Sequence, residues 1–260
     1  MRRFAPRLSQ VRWLDVYVGG IVALGGAVAA LAIVTGVPTV PAWQVVLLAV
    51  CCGATQLVRT SLPRSSSVSP AVVISFAALV WLGPGGAVIV GWSGALLHAV
   101  ARRQALSRAA FNAAVWALAA TAGAAVYRVL GGVPSHYSPP MVLAALVAAT
   151  AYFATNTGLV AGAISLSTGA AFRAVWLDNY LGLAPSYGLL AIGGGAAAVA
   201  AQIGGLPALV ATATLGLLPW MSIQLYASKA RQAAAAIPML GISGQRPDAP
   251  TGERPLPVRC

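Results

Sequence analysis

The basic residues of this chain fall at every second gap between its long apolar runs. Of the sixteen Lys and Arg residues, all but Arg128 lie in segments that would share one side of a membrane. This asymmetry is typical of a chain that crosses a bilayer repeatedly and keeps its positive loops in the cytoplasm. The sequence therefore predicts a multi-pass integral membrane protein with both termini on the cytoplasmic side.

The composition also indicates a membrane protein. Hydrophobic residues make up 59% of the chain and charged residues 8%, whereas a soluble domain has about 25% charged residues. The net charge of +12 comes with no zinc-finger spacing, recognition helix or basic stretch interleaved with aromatic residues, so nucleic acid is not an expected partner. We expect the arginines to bind anionic lipid of the bacterial cytoplasmic membrane.

Apolar runs of about twenty residues mark the membrane spans. The predicted spans lie near 16–36, 42–60, 70–83, 86–101, 107–130, 141–169, 180–201 and 206–227. They form one membrane domain at 16–227, preceded by a basic cytoplasmic arm at 1–15 and followed by a helical extension at 228–240 and a disordered tail at 241–260. The pattern predicts an all-α, polytopic transmembrane helical bundle with about six to eight spans.

The segment 70–101 is nearly uncharged and is interrupted by Gly83, Pro84, Gly85 and Gly86. Helices of about fourteen and sixteen residues on the two sides would extend only about 21 and 24 Å, less than the roughly 30 Å of a bilayer core. Two interpretations stay open: two short spans joined by a tight turn, or a broken, re-entrant helical hairpin. In both, the chain returns to the side of the membrane that it left.

Few residues of the sequence could carry catalysis. No Asp or Glu lies inside a predicted span, and the only histidine within one, His98, lies near its cytoplasmic end, where it is expected at the interface or at a helix cap. Cys51 and Cys52 are adjacent, which does not favour a disulfide. Because ionisable groups inside membranes usually mark functional sites, we expect neither enzyme activity nor a metal or cofactor.

Neutral polar and aromatic residues remain within the spans. They are Gln56, Trp81, Trp92, Asn112, Tyr127, Asn156, Thr157 and Tyr187. An amide in hydrocarbon needs a hydrogen-bond partner, so one interpretation is that these residues join helices to each other. The alternative is a pocket for a small, largely neutral ligand. The predicted ligand-binding residues are Trp92, Asn112, Asn156 and Thr157.

Other residues are expected to serve the packing and anchoring of the bundle. Gly158 and Gly162 stand four positions apart, which allows close helix packing, and we expect that packing to lie within one bundle. Aromatic residues near span ends are expected to anchor the helices at the membrane interface. They are Trp13, Tyr17, Trp43 and Trp176.

Four stretches of the chain resemble a family of bacterial membrane regions. They are Arg108-Ala-Ala-Phe-Asn-Ala-Ala-Val-Trp, Tyr127-Arg-Val-Leu-Gly-Gly, Tyr152-Phe-Ala-Thr-Asn-Thr-Gly-Leu-Val and Phe172-Arg-Ala-Val-Trp-Leu-Asp-Asn-Tyr. Between about residues 70 and 230, the chain resembles the multi-pass N-terminal region that precedes an HD-GYP phosphodiesterase or GGDEF diguanylate cyclase domain in bacterial signalling proteins. The resemblance implies a sensory role. After Arg231 the predicted tail stands in place of the output domain, so enzyme activity is not implied.

A second resemblance is architectural. Apolar segments broken by Gly-Pro-Gly-Gly, with basic cytoplasmic loops, are similar to the substrate-binding subunits of energy-coupling-factor vitamin transporters. We expect a non-enzymatic, sensor-like or ligand-binding membrane module that passes its state to a separate cytoplasmic protein. Two alternatives stay open: a transport component that captures or moves a small neutral solute, and a structural subunit of a membrane complex.

Overall fold

The computed structural model describes residues 8–35, 41–57, 60–61, 67–132 and 139–205, together with positions 208 and 228. In this part the chain is helical apart from a two-residue antiparallel ladder between β1 and β2. The elements are α1 (Leu8–Thr35), α2 (Ala42–Leu57), β1 (Thr60–Ser61), β2 (Ser67–Val68), α3 (Ala71–Ala101), α4 (Leu106–Val129), α5 (Pro139–Thr168), α6 (Phe172–Asn179), a 3-10 turn (Leu181–Leu183) and α7, residues 184–205. The predicted all-α class is confirmed.

The boundaries of the helices follow the apolar runs, with two differences from the predicted domains. α1 begins at Leu8, so the second half of the predicted basic arm belongs to the first helix. The predicted spans 70–83 and 86–101 form the single element α3. The predicted span 206–227, the helical extension and the tail lie outside the described residues, apart from positions 208 and 228.

Five helical segments are long and apolar enough to cross a membrane. By length and composition, they are Arg12–Thr35, Ala71–Ala101, Leu106–Val129, Leu143–Thr168 and Phe172–Gly205. The second of these is interrupted at Gly83 and does not cross as one straight helix. α2 has 16 residues, about 24 Å, and is shorter than the roughly 30 Å of a bilayer core. Large apolar side chains cover the outside of the bundle, as a lipid environment requires. Examples are Leu24, Leu31, Val34, Val46, Val50, Leu143, Val147, Leu189 and Ile203.

α3 folds back on itself as a helical hairpin. A straight helix of its 31 residues would extend about 46 Å. Just before it, the Ser69 hydroxyl donates a hydrogen bond to the Thr55 carbonyl over 3.2 Å. Just after it, the Arg102 guanidinium donates to the Leu57 carbonyl over 2.9 Å. Because Thr55 and Leu57 share the last turn of α2, both ends of α3 meet at one end of the bundle.

The hairpin turns at Gly83, where φ is 77° and ψ is −173°. Only glycine adopts this region of backbone conformation without strain. Pro84 has no N–H to satisfy and suits the first position of a helix, so it begins the second half of α3. The tip lies beside Thr35, at the end of α1, and Arg128, near the end of α4.

The first half of α3, residues 71–82, lies in the centre of the bundle. Only Ile74 and Trp81 of this half are not fully buried. A helix that is apolar on all sides needs protein neighbours on all sides to be buried, and the remaining helices supply them. The hairpin therefore forms the core that the other helices surround.

Two of the surrounding helices contact this half directly. The Phe76 ring lies 5.5 Å from the ring of Tyr152 on α5, measured between centroids. On α7, Gly194 packs against the backbone of Val73 with no space for a side chain. These contacts place α5 and α7 next to the hairpin.

α1 occupies the edge of the bundle. Its buried positions Gly25, Ala29 and Ala32 form a stripe of small residues at helical spacing, and Gly25 packs on Ala114 of α4. Small residues let helix backbones approach closely. Such close packing stabilises helix association in lipid, where the hydrophobic effect does not drive helices together. The rest of α1 is largely exposed apolar surface.

Candidate functional site

Two neighbouring residues of α5 form hydrogen bonds to the segments that follow it. The Asn156 amide donates to the Tyr187 hydroxyl of α7 over 3.2 Å. The Thr157 hydroxyl donates to the Phe153 carbonyl over 2.7 Å and accepts a hydrogen bond from the Trp176 indole of α6 over 2.9 Å. These bonds join α5 to both α6 and α7, as expected for polar groups that hold membrane helices together.

Rings of five residues form a continuous path from α3 to α6, which we call the aromatic chain. Its members in order are Phe76, Tyr152, Tyr187, Phe153 and Trp176, with centroid separations of 5.5, 6.5, 4.9 and 6.3 Å. Such spacings are those of favourable aromatic pairs. Trp116 of α4 joins at Tyr152 over 6.1 Å. Successive ring contacts through α5 and α7 therefore connect the hairpin with the short helix α6.

A cavity of about 130 Å³ lies between α5 and α7, next to Phe153 and Tyr187. Ligand pockets usually measure roughly 300–1,000 Å³, and one water molecule takes about 30 Å³ in the liquid. The cavity could hold only a very small neutral molecule. Its lining residues Phe153 and Tyr187 are the hydrogen-bond partners of Thr157 and Asn156, whose ligand-binding role stays a prediction.

The other two predicted ligand-binding residues are not joined to this pair. The Asn112 amide donates to the Gln104 side chain over 3.3 Å, at the entrance to α4. Trp92 is half-buried in the second half of α3, packed against the core. Within the described residues, neither has a hydrogen bond or ring contact to Asn156 or Thr157.

A second polar group lies deeper, between α2, α3 and α5. The Gln56 amide donates to the Cys52 thiol over 3.8 Å, one turn away on the same helix. Ser75 lies close to both Cys52 and Tyr152. The buried hydroxyls of Ser75 and Tyr152 have no hydrogen-bond partner within the described part of the chain. An unsatisfied buried hydroxyl costs about 1–3 kcal/mol.

Some residues near the predicted span ends also contact other helices. Trp176 bonds Thr157, and the Tyr17 hydroxyl donates to the Leu159 carbonyl over 2.9 Å. His98 is 5% exposed and lies in the last turn of α3, where its carbonyl accepts a hydrogen bond from the Arg102 backbone N–H. The roles expected of these residues at the membrane interface stay predictions.

Trp13 and Trp43 are 66% and 53% exposed, as expected of interface anchors. Cys51 and Cys52 are free thiols. In the part of the chain that the structure describes, no three His, Cys, Asp or Glu side chains form a group that could hold a metal ion.

The largest described pocket lies at the tip of the hairpin, and we call it the tip groove. It measures about 520 Å³, within the roughly 300–1,000 Å³ of ligand pockets. Its lining residues are Val28, Leu31, Ala32, Thr35, Leu82, Gly83, Pro84, Gly85, Val88, Thr121, Ala124, Ala125 and Arg128. Sequence reasoning missed this site, although Arg128 and the Gly-Pro-Gly-Gly break were its two signals.

Comparison of the chain with protein families, with curated proteins and with solved structures finds no match. The resemblances to signalling membrane regions and to vitamin-transporter subunits therefore stay predictions. The geometry of the tip groove and of the aromatic chain is the basis for the function proposed next.

Proposed function

We propose that this chain is a non-enzymatic, sensor-like integral membrane protein that binds a small molecule within its bundle and passes the bound state to a separate cytoplasmic protein. The observation that carries the proposal is the tip groove of about 520 Å³. A cleft of this size, largely apolar with a few polar groups, is the usual form of a small-molecule site.

The aromatic chain supports the second half of the proposal. Leu82 in the groove and Phe76 of the aromatic chain lie on the same half of α3. The other end of the chain is Trp176 on α6, a helix that also presents the exposed Arg173 and Asp178. Because packed interiors transmit small displacements between discrete arrangements, a ligand that moves the hairpin would change the position of α6.

A transport component is the second candidate function. The tip groove lies at the helix ends that the arginine pattern predicts to face outward, where a solute-capturing subunit would bind its substrate. Neighbouring genes separate the two candidates: a signalling enzyme favours the sensor, and an ATPase pair with a coupling subunit favours transport. A structural subunit is the interpretation that follows if the groove binds nothing.

The test is native mass spectrometry of the purified chain and of two tryptophan variants. Ala125→Trp fills the tip groove, because Ala125 lines it. Leu143→Trp is the matched control, since Leu143 is 66% exposed and lies outside the groove. We expect a small-molecule adduct on the wild type and on the control, and none on Ala125→Trp. An adduct that survives Ala125→Trp would contradict the assignment to the groove, and a wild type without any adduct would contradict ligand binding.

The proposed transmission of the bound state to α6 is tested by a separate measurement. Hydrogen exchange of peptides that cover α6 should differ between the wild type with its adduct and the Ala125→Trp variant, while Leu143→Trp behaves as the wild type. Local opening is what hydrogen exchange reports. Identical exchange in α6 for all three proteins would contradict transmission through the aromatic chain and favour the transport component.

A further inference from the structure

Among the described residues that line the tip groove, Arg128 is the only charged one. It is also the one basic residue outside the positive-inside pattern of the chain. The acidic residues that the structure describes are Asp15 and Asp178. Asp15 lies on α1 about 30 Å, or twenty residues, from Thr35 at the groove, and Asp178 lies on α6. Neither carboxylate forms an ion pair with Arg128 within the described residues.

A second positive feature faces the same groove. The second half of α3 begins at Pro84, and Gly85 in its first turn lines the groove. The N-terminal end of a helix carries a partial positive charge and exposes backbone N–H groups. Gly85 has no side chain to hold a ligand away from the backbone. Arg128 and this helix end together favour a negatively charged group at the mouth of the groove.

The walls of the groove are apolar along most of its length. It extends from Arg128 to Thr121 on α4 and from Thr35 to Val28 on α1, which is about 10 Å along each helix. Between these positions the walls are formed by aliphatic side chains, among them Leu31, Leu82, Val88 and Ala124. Apolar surface of this kind binds hydrocarbon and not a second charge.

We propose that the tip groove binds a single-chain amphiphilic anion, such as a medium-chain carboxylate. This inference rests on the proposed ligand-binding function and adds the chemical class of the ligand. The anionic head would lie between Arg128 and the N-terminal end of the second half of α3, and the chain would lie between α1 and α4. A volume of about 520 Å³ suits one drug-sized ligand.

Arg128 is exposed at the mouth of the groove. An anionic head can therefore reach the guanidinium while its chain lies against the apolar walls. Arginine also pairs with a carboxylate through two parallel hydrogen bonds, which lysine cannot form. The neutral alcohol of the same chain length would retain the apolar contacts and lose the charge pairing.

The experiment measures thermal stabilisation of the purified chain in an uncharged detergent by decanoate and by decanol. Ligand binding to the folded state raises stability with concentration, which yields the affinity. We expect decanoate to bind at least about tenfold more tightly than decanol, and Arg128→Gln to weaken decanoate binding about ten- to a hundredfold while decanol is unaffected. Arg128→Lys should retain part of the preference. Arg173→Gln, a change of an exposed arginine at the other end of the bundle, is the control and should bind decanoate as the wild type does.

Three outcomes would overturn the inference. The first is equal stabilisation by decanoate and decanol, and the second is an equal loss of decanoate binding in Arg128→Gln and Arg173→Gln. The third is a co-purified anionic phospholipid that Arg128→Gln releases but excess decanoate does not displace. If the wild type carries a neutral adduct that Ala125→Trp removes, the proposed function stands and only the charge assignment fails. If it carries no adduct yet binds decanoate through Arg128, the anion site stands and the co-purified ligand of the proposed function fails.

Discussion

Gly25 of α1 lies so close to Ala114 of α4 that a β-carbon at position 25 would stand 2.5 Å from the Cα of Ala114. Its neighbour Gly26 has no atom of another element within 4 Å of the same position. Two adjacent glycines of one helix therefore have opposite roles. Gly25 permits the contact between α1 and α4, and Gly26 lies on open surface.

Alanine substitutions at these two glycines should distinguish the effect of helix packing on stability from the effect of helix propensity. Gly25→Ala should destabilise the chain by about 1–3 kcal/mol, because the added methyl group meets backbone atoms that cannot move aside. Gly26→Ala should be neutral or stabilise by up to about 1 kcal/mol, since alanine favours the helix. Thermal unfolding in detergent measures both. Equal effects of the two substitutions would contradict the close contact.

The turn of the hairpin should be sensitive at Gly83. Its φ of 77° with ψ of −173° is a conformation that costs a residue with a side chain about 1–3 kcal/mol. Gly83→Ala should therefore lower stability by that amount. Gly158→Ala is the control, because Gly158 is helical and has no neighbour within 4 Å of its added β-carbon. A Gly83→Ala protein as stable as the Gly158→Ala protein would disprove the turn geometry.

Removal of the Thr157 hydroxyl should lower the stability of the chain, whereas removal of the Ser75 hydroxyl should not. Thr157→Val keeps the shape but leaves the Trp176 indole N–H without its acceptor, so it should destabilise by about 0.6 kcal/mol and by no more than about 2. Ser75→Ala removes a hydroxyl that has no partner in the described residues and should be neutral or stabilising. Unfolding of the two variants side by side tests both signs.

Asn156→Leu distinguishes a helix-joining role from a ligand-binding role. Loss of its hydrogen bond to Tyr187 should change the stability of the ligand-free chain by about 0.6 kcal/mol and seldom by more than about 2. A ligand contact would instead show as lost thermal stabilisation by the co-purified ligand. Tyr187→Phe removes the same bond from the other side and is the control. If ligand-induced stabilisation is unchanged in Asn156→Leu, the pocket role of Asn156 is ruled out.

The orientation of the chain can be measured with single cysteines in a background without Cys51, Cys52 and Cys260. Positions near 5, 64, 105, 173 and 240 should be labelled from the cytoplasm, and positions near 39, 135 and 204 from outside, according to the arginine pattern. The hairpin of α3 requires positions 64 and 105 to share one side, because Ser69 and Arg102 bond the same turn of α2. Labelling of these two positions from opposite sides would exclude the hairpin.

The class of this protein follows from the sequence by itself. Membrane helices are specified by local properties, the length of an apolar run and the arginines at its ends, so the all-α class and the ranges of α2 to α5 could be predicted to within a few residues. The start of α1 at Leu8 could not, because the helix continues beyond the apolar run. The break in α3 could also be predicted from local sequence. Gly83 permits the turn conformation, and Pro84 suits the first position of the helix that follows.

The tertiary structure alone decided which polar groups meet and where a pocket forms. Asn156 and Tyr187 are 31 residues apart, and no local pattern pairs them. The bond of Trp176 to Thr157 could not be predicted from the sequence either, because the packing of α6 on α5 determines its surroundings. The walls of the tip groove are ordinary aliphatic residues of three helices. The groove beside Arg128 forms only because those helices pack together.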